Sequence, residues 1–251
     1  MTVRLDLEYD GTDFAGWAVQ PGDVRTVQRE LERALATLLP RPVETAVAGR
    51  TDRGVHATGQ VVSYEGPLAP VRGLNALLPP DVAVTSARVV PGGFHARYDA
   101  LSRSYAFRLL TRSARSPFER RRAIHHPYPI DRAKLEACAA ALPGTHDLTA
   151  FTPSGGHHQL FERTILAAGW HEEPGGVLVF TIEARTFMRH MNRVLMGTML
   201  EVAGGRRTVD DFVALLAGAP RSAAGVTAPP QGLHLTGVRY PPEAGAGGAG
   251  G

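Results

Sequence analysis

The order of predicted strands and helices in the first hundred residues constrains the fold more than any other feature of this sequence. Apolar and polar residues alternate in VRLDLEY (3–9), which predicts a half-buried strand. Over 26–39 the apolar residues recur at helical spacing, with Thr26 as N-cap and Pro40 past the end. Three further strands and a short helix are predicted at 43–48, 58–65, 82–90 and 71–79. The resulting β-α-β-β-α-β order is that of ferredoxin-like and RNA-recognition-like units and favours a mixed sheet with helices on one face.

The second half of the chain contains the same kinds of element. We predict a strand at 102–110, helices at 130–144 and 186–205, a hairpin around Pro174, a short helix near 210 and a closing strand at 233–240. The fold class is therefore α+β, with two α/β subdomains of largely antiparallel mixed sheets and a basic cleft between them. Their predicted boundaries are 1–101 and 102–242. A glycine- and alanine-rich tail, 243–251, is expected to be disordered.

Composition excludes several classes of protein. No apolar run approaches the roughly 18 to 20 residues that span a bilayer. Acidic residues stand where a signal peptide would have its apolar core, so we expect a soluble, cytoplasmic protein. The single cysteine, Cys138, excludes an internal disulfide framework, and its spacing from Leu135 and Leu142 predicts a core residue rather than a nucleophile.

Positive charge is concentrated in one segment. Residues 97–122 contain eight arginines and two carboxylates, whereas the remainder of the chain is net negative. The planar guanidinium fork suits phosphate groups and also stacks on bases, so the segment indicates a nucleic-acid partner. A solvated surface or internal ion pairs would explain the same charges.

The turn AGRTDRGVHA (48–57) is the strongest candidate for chemistry. Apolar strands flank it on both sides, so the sheet presents a polar turn at its end. Within it Asp52 stands between Arg50 and Arg53, and a carboxylate beside guanidinium groups stays ionised and can act as nucleophile or general base. The alternative is a turn aspartate that only hydrogen-bonds its own backbone.

Two other segments offer weaker candidates. In SRSYAFRLL (102–110), Arg103 and Tyr105 are two residues apart and therefore share one face of the predicted strand. On that face the tyrosine could stack a base or lie in the core. In the predicted helix 186–205, Arg189 and Arg193 are four residues apart on one side, and one of them could pair with a carboxylate or remain solvated.

Metal and nucleotide cofactors have no motif support. The adjacent pairs His125-His126 and His157-His158 lack ligand spacing, and no HxxxH, CxxC or GxxxxGK[ST] pattern occurs. The GxGxxG pattern occurs only within the glycine- and alanine-rich tail, with no predicted strand and helix around it. We therefore expect no metal and no cofactor.

Several segments together resemble the tRNA pseudouridine synthase A family. They are YDGTDFAGWAVQ (9–20), AGRTDRGVHATGQVVSY (48–64), FHARYDALSRSYAFRL (94–109), GTHDLTAF (144–151), FMRHMNRVLMGTMLEVAGGR (187–206) and APPQGLHLTGVRY (228–240). The resemblance runs from about residue 3 to residue 241. It implies the pseudouridine synthase fold and the isomerisation of uridines 38, 39 and 40 in the anticodon stem-loop of tRNA, by a homodimer without a cofactor.

The resemblance also implies roles for single residues. Asp52 would be the nucleophile, Tyr105 would contact the target base, Arg193 would pair with Asp52, and Arg50 would help extrude the uridine. Arg53, Arg97 and Arg103 are further candidates for RNA contact.

The chain departs from the family pattern at three positions. Arg53 replaces an alanine, Ala18 a glutamine and Asn192 a valine, and none of the three changes removes a catalytic group.

Two rival functions come from other classes. A tRNA-binding protein of the same fold could have lost catalysis, although Asp52, Tyr105 and Arg193 are all present. A hydrolytic nuclease could use Asp52 with histidines, although no second carboxylate stands near it in the sequence to hold a metal ion.

Overall fold

The computed structural model describes residues 1–153 and 160–242, which form two compact units. Unit 1 comprises Met1–Arg103 and the segment from His234 onward, and unit 2 comprises Ser104–Leu233. The predicted tail, 243–251, and the pair His157-His158 lie outside the described residues. Both units combine helices with strands, so the α+β fold class is confirmed.

Unit 1 has the predicted β-α-β-β-α-β order. Its elements are β1 (Thr2–Tyr9), α1 (Val27–Leu38), β2 (Thr45–Val47), β3 (His56–Glu65), α2 (Val71–Leu77) and β4 (Val82–Val90). Strand β1 lies between β3 and β4 and is antiparallel to both, while β2 pairs with the outer part of β3. The alternating residues of β1 supply the core, with Val3, Leu5 and Leu7 all buried.

Helix α1 packs by the predicted stripe except at its end. The Thr26 side chain accepts a hydrogen bond from the Arg29 N–H, which satisfies one of the free donors of the first turn. Val27, Leu31, Ala34 and Leu35 are buried. Leu38 follows the same helical spacing but is exposed, in the last turn of the helix.

Unit 2 contains more elements than the sequence indicated. They are β5 (Ser102–Leu110), β6 (Ile124–His125), α3 (Arg132–Ala140), β7 (Gly144–Asp147), β8 (Glu162–Glu173), β9 (Val177–Ala184), α4 (Met191–Ala203) and α5 (Val209–Ala214). The sheet order is β5-β9-β8-β7, with β6 parallel to β5. The hairpin β8–β9 is confirmed, whereas β6 and β7 are too short to show a periodic pattern. Cys138 is fully buried in α3, and burial raises the pKa of its thiol to about 11, which fits a core residue.

The closing strand belongs to the first unit, not to the second subdomain in which the sequence analysis placed it. Strand β10 (Leu233–Arg239) pairs in parallel with β3, His234 opposite His56 and Leu235 opposite Ala57. Apolar patterning predicts a strand but not which sheet the strand joins.

The predicted helix 186–205 is wrong at its start. Helix α4 begins at Met191, because His190 adopts a left-handed conformation with φ of 60° and acts as the N-cap. Arg189 therefore lies outside the helix, and its predicted shared face with Arg193 does not exist.

No helix within residues 1–153 or 160–242 is both long enough and apolar enough to cross a membrane.

Candidate active site

The loop between β2 and β3 presents Asp52 on a tight turn. The Val55 N–H donates to the Asp52 carbonyl at 3.1 Å and closes the turn. Gly54 has φ of +77°, a conformation that a residue with a Cβ rarely adopts. Asp52 is partly exposed, and its neighbours Arg50 and Arg53 are exposed. The turn therefore carries one partly exposed carboxylate and, on either side of it in the chain, two exposed arginines.

A second loop, residues 10–17, packs against this turn. The Trp17 N–H donates to the Thr51 carbonyl at 3.0 Å, and the Trp17 ring is buried. Gly11 lies so close to the turn that a Cβ built on it would stand 1.9 Å from the Val55 carbonyl oxygen. The Gly11 N–H also donates to His56 Nδ1 at 3.1 Å. The two loops therefore pack backbone against backbone.

Three buried polar side chains form hydrogen bonds with one another and with the backbone of the turn. The Tyr9 hydroxyl is 2.8 Å from Thr51 Oγ1, and Gln60 Nε2 donates to the Tyr9 oxygen at 3.2 Å and to the Gly49 carbonyl at 2.8 Å. Burial raises the pKa of Tyr9 to about 12, so its hydroxyl remains neutral at physiological pH. These contacts have no local signature in the sequence, since the partners are far apart in the chain.

Arg103, predicted as an RNA contact, is buried in unit 1. Its Nε and Nη2 both donate to the Ala48 carbonyl, at 3.0 and 2.7 Å, and it also donates to the Arg97 and Ala100 carbonyls. Arg103 thus ties the entry of the Asp52 turn to the 97–100 loop. Because these donors face protein carbonyls and the side chain is 7% exposed, we assign Arg103 a structural role instead of phosphate contact.

The 97–100 loop presents polar and aromatic side chains to solvent. Arg97 is exposed, with its guanidinium carbon 5.7 Å from the centre of the Tyr98 ring. Tyr98 is 74% exposed and packs against His95. The position of Arg97 is compatible with the predicted contact to RNA.

Arg53 lines a pocket of about 290 Å³ beside the turn. The other lining residues are Thr12, Asp13, Phe14, Ala15, Val24 and Arg25. The Arg25 guanidinium lies 4.0 Å from the centre of the Phe14 ring and forms two hydrogen bonds with Asp81. This carboxylate raises the pKa of Arg25, and the pair fixes one wall of the pocket.

Two further candidate residues lie in unit 2. Tyr105 points into the buried face of β5, is 7% exposed, and meets the Phe187 ring edge-on at 4.9 Å. Arg193 is partly buried in α4, and its Nε donates to the Ala228 carbonyl at 2.8 Å. The pairing of Arg193 with Asp52 and the contact of Tyr105 with a base remain predictions.

Within the described parts of the chain, 1–153 and 160–242, no group of three or more histidine, cysteine, aspartate or glutamate residues could hold a metal ion.

Comparisons with known proteins agree with one another. The profile of the family described as tRNA pseudouridine synthase matches residues 7–99 and 138–241. The tRNA pseudouridine synthase A of Bacillus pumilus (strain SAFR-032) is 40% identical over 247 residues, which cover 96% of this chain and 99% of that protein. The protein of the same name from Lacticaseibacillus casei (strain BL23) is 40% identical over 244 residues, covering 94% of this chain and 98% of that one.

Proposed function

Because this chain belongs to the tRNA pseudouridine synthase family, we propose that it isomerises uridine to pseudouridine at positions 38, 39 and 40 of the tRNA anticodon stem-loop, with Asp52 as nucleophile. The observation that carries the proposal is the Asp52 turn, which holds a partly exposed carboxylate between Arg50 and Arg53. The resemblance to the family contributes the target positions.

The reaction needs what this turn supplies. The bond between N1 of uracil and C1′ of ribose breaks, the base rotates, and a bond forms between C5 and C1′. N1 gains a proton, and the hydrogen on C5 leaves as a proton, so the reaction has no net redox change. A carboxylate can hold the fragments together by attacking C6 of uracil or C1′ of ribose. In both routes Asp52 is the nucleophile.

The substrate base must leave its stack before Asp52 can reach it. Extrusion of a base costs a few kcal/mol, which contacts to the RNA backbone can offset. In unit 1, Arg50, Arg53 and Arg97 are exposed near or on the two loops of the site. We assign these three arginines to phosphate contacts, with Arg50 helping to extrude the uridine.

The loop between β5 and β6 in unit 2 offers a second RNA contact. Its exposed arginines are Arg112, Arg115, Arg120, Arg121 and Arg122, and among them Phe118 is 88% exposed. The carboxylate of the loop, Glu119, is held by Arg108 at 3.2 Å. Positive charge with an exposed ring is the composition of a surface that binds phosphates and stacks a base.

Salt dependence tests this second contact. Log affinity falls as log salt rises, and each phosphate contact removed should make this negative slope shallower by roughly 0.7 to 0.9. We expect simultaneous replacement of Arg120, Arg121 and Arg122 by alanine to weaken tRNA binding at low salt and to flatten this slope, as measured by filter binding. Arg33→Ala is the control, because Arg33 is an exposed arginine of α1, outside this loop. An unchanged slope in the triple variant would place the RNA elsewhere.

The positions modified are tested with tRNAs that carry a single uridine at 38, 39 or 40. We expect pseudouridine in all three substrates and none in a tRNA without uridine at these positions. Pseudouridine formed at only another position would contradict the assignment of the anticodon stem-loop.

We also propose that the protein acts in the cytoplasm as a homodimer, as the family resemblance implies. Sedimentation of the purified chain should give twice the mass of one chain, and a monomer active on tRNA would contradict the dimer.

A further inference from the structure

The buried side chains of Tyr9, Thr51 and Gln60 form one connected hydrogen-bond network at the Asp52 turn. Gln60 holds the Gly49 carbonyl at the start of the turn, and Tyr9 holds the Thr51 side chain immediately before Asp52. Gln60 also donates to the Tyr9 oxygen, and its own Oε1 accepts from the Val61 N–H. Tyr9, Thr51 and Gln60 are 5%, 6% and 0% exposed.

The directions of these hydrogen bonds follow from the groups involved. The Gln60 amide nitrogen can only donate, so the Tyr9 oxygen accepts from it. The phenol has one proton of its own, and giving that proton to Thr51 Oγ1 satisfies the hydroxyl at both ends. Because a buried polar group without a partner is costly, this arrangement is the favourable one for the Tyr9 hydroxyl.

We propose that Tyr9 is a positioning residue for the isomerisation, which acts through Thr51 to fix the backbone that carries Asp52. The inference rests on the proposed role of Asp52. The side chain of Thr51 is held by Tyr9 and its carbonyl by the Trp17 N–H, so the residue next to the nucleophile is fixed from two directions. A nucleophile displaced by about 1 Å can lose about a hundredfold in rate, so this anchoring affects the chemical step.

The test separates positioning from general stability. In Tyr9→Phe the ring stays and only the hydroxyl is removed. We expect the single-turnover rate of pseudouridine formation to fall about tenfold to hundredfold, while the dissociation constant for tRNA stays within about twofold. Tyr64→Phe is the matched control, because Tyr64 is also buried and its hydroxyl bonds to Pro67 and Ala69 at the far end of β3. It should lose stability as Tyr9→Phe does and keep its rate.

A second pair of variants gives an independent readout. Thr51→Val removes the hydroxyl at nearly constant shape and should reproduce the loss of rate, whereas Thr51→Ser keeps the hydroxyl and should restore most of it. A wild-type rate in Tyr9→Phe or Thr51→Val, or an equal loss of rate in Tyr64→Phe, would overturn the proposal. Activity in Asp52→Ala would instead contradict the proposed nucleophile, so the two failures are distinguishable.

Discussion

Replacing Asp52 with alanine is expected to abolish pseudouridine formation and to leave tRNA affinity within about tenfold of wild type, roughly 1.4 kcal/mol. The substitution removes the only carboxylate of the turn, residues 48–57, whereas the exposed Arg50 and Arg53 beside it remain to contact phosphates. Pseudouridine is measured by digesting the tRNA to nucleosides and separating them, and affinity by filter binding.

Two further variants make this result specific. Asp52→Asn keeps the shape of the side chain and removes its charge, so it should be as inactive as Asp52→Ala. Asp23→Ala removes an exposed carboxylate of unit 1 that pairs with Arg29, and it should turn over like wild type. Measurable isomerisation by either Asp52 variant would show that the nucleophile assignment is wrong.

Gly11→Ala is expected to damage both stability and turnover, although Gly11 lies outside the turn itself. The new Cβ would lie 1.9 Å from the Val55 carbonyl oxygen, far inside van der Waals contact, so one of the two loops must move. Forcing a methyl group into such a packed site costs about 1 to 3 kcal/mol of folding stability. Displacement of the Asp52 turn should also lower the turnover rate about a hundredfold.

Chemical denaturation and a turnover assay measure the two effects of Gly11→Ala. Gly92→Ala is the control, since a Cβ at Gly92 meets no atom within 4 Å. It should change neither the free energy of unfolding nor the rate. If Gly11→Ala retained wild-type turnover, the close packing of the two loops would not matter for the position of Asp52.

Local patterns in the sequence were sufficient to predict most elements of unit 1. Alternation over 3–9 and helical spacing over 26–39 each depend on neighbouring residues, and the ends of β1 and α1 lie within one residue of those ranges. The pattern over 186–205 was misleading because apolar residues also occur before Met191, where α4 begins. The left-handed His190 that sets this start has no signature in the apolar pattern.

The site was predictable in its reactive residues and not in its support. The Asp52 turn has a local signature of glycines and charges, so sequence analysis identified it. The bond between Tyr9 and Thr51 joins residues 42 positions apart, and no local pattern reveals such a pair. The burial of Arg103 did have a signature in the sequence, because it shares one face of β5 with the buried Tyr105 and Phe107. Its charge nevertheless favoured a role in RNA binding.

Release of tritium from tRNA labelled at carbon 5 of uridine tests the central claim most directly. Joining C5 to the ribose removes that hydrogen as a proton, whereas binding alone and cleavage of the RNA chain leave it in place. The measurement is made with the wild-type protein and no added metal. We predict one tritium released to water for each pseudouridine formed, with the RNA chain intact. Stable label on bound tRNA would indicate a binding protein, and chain cleavage without release would indicate a nuclease; either result would contradict the account.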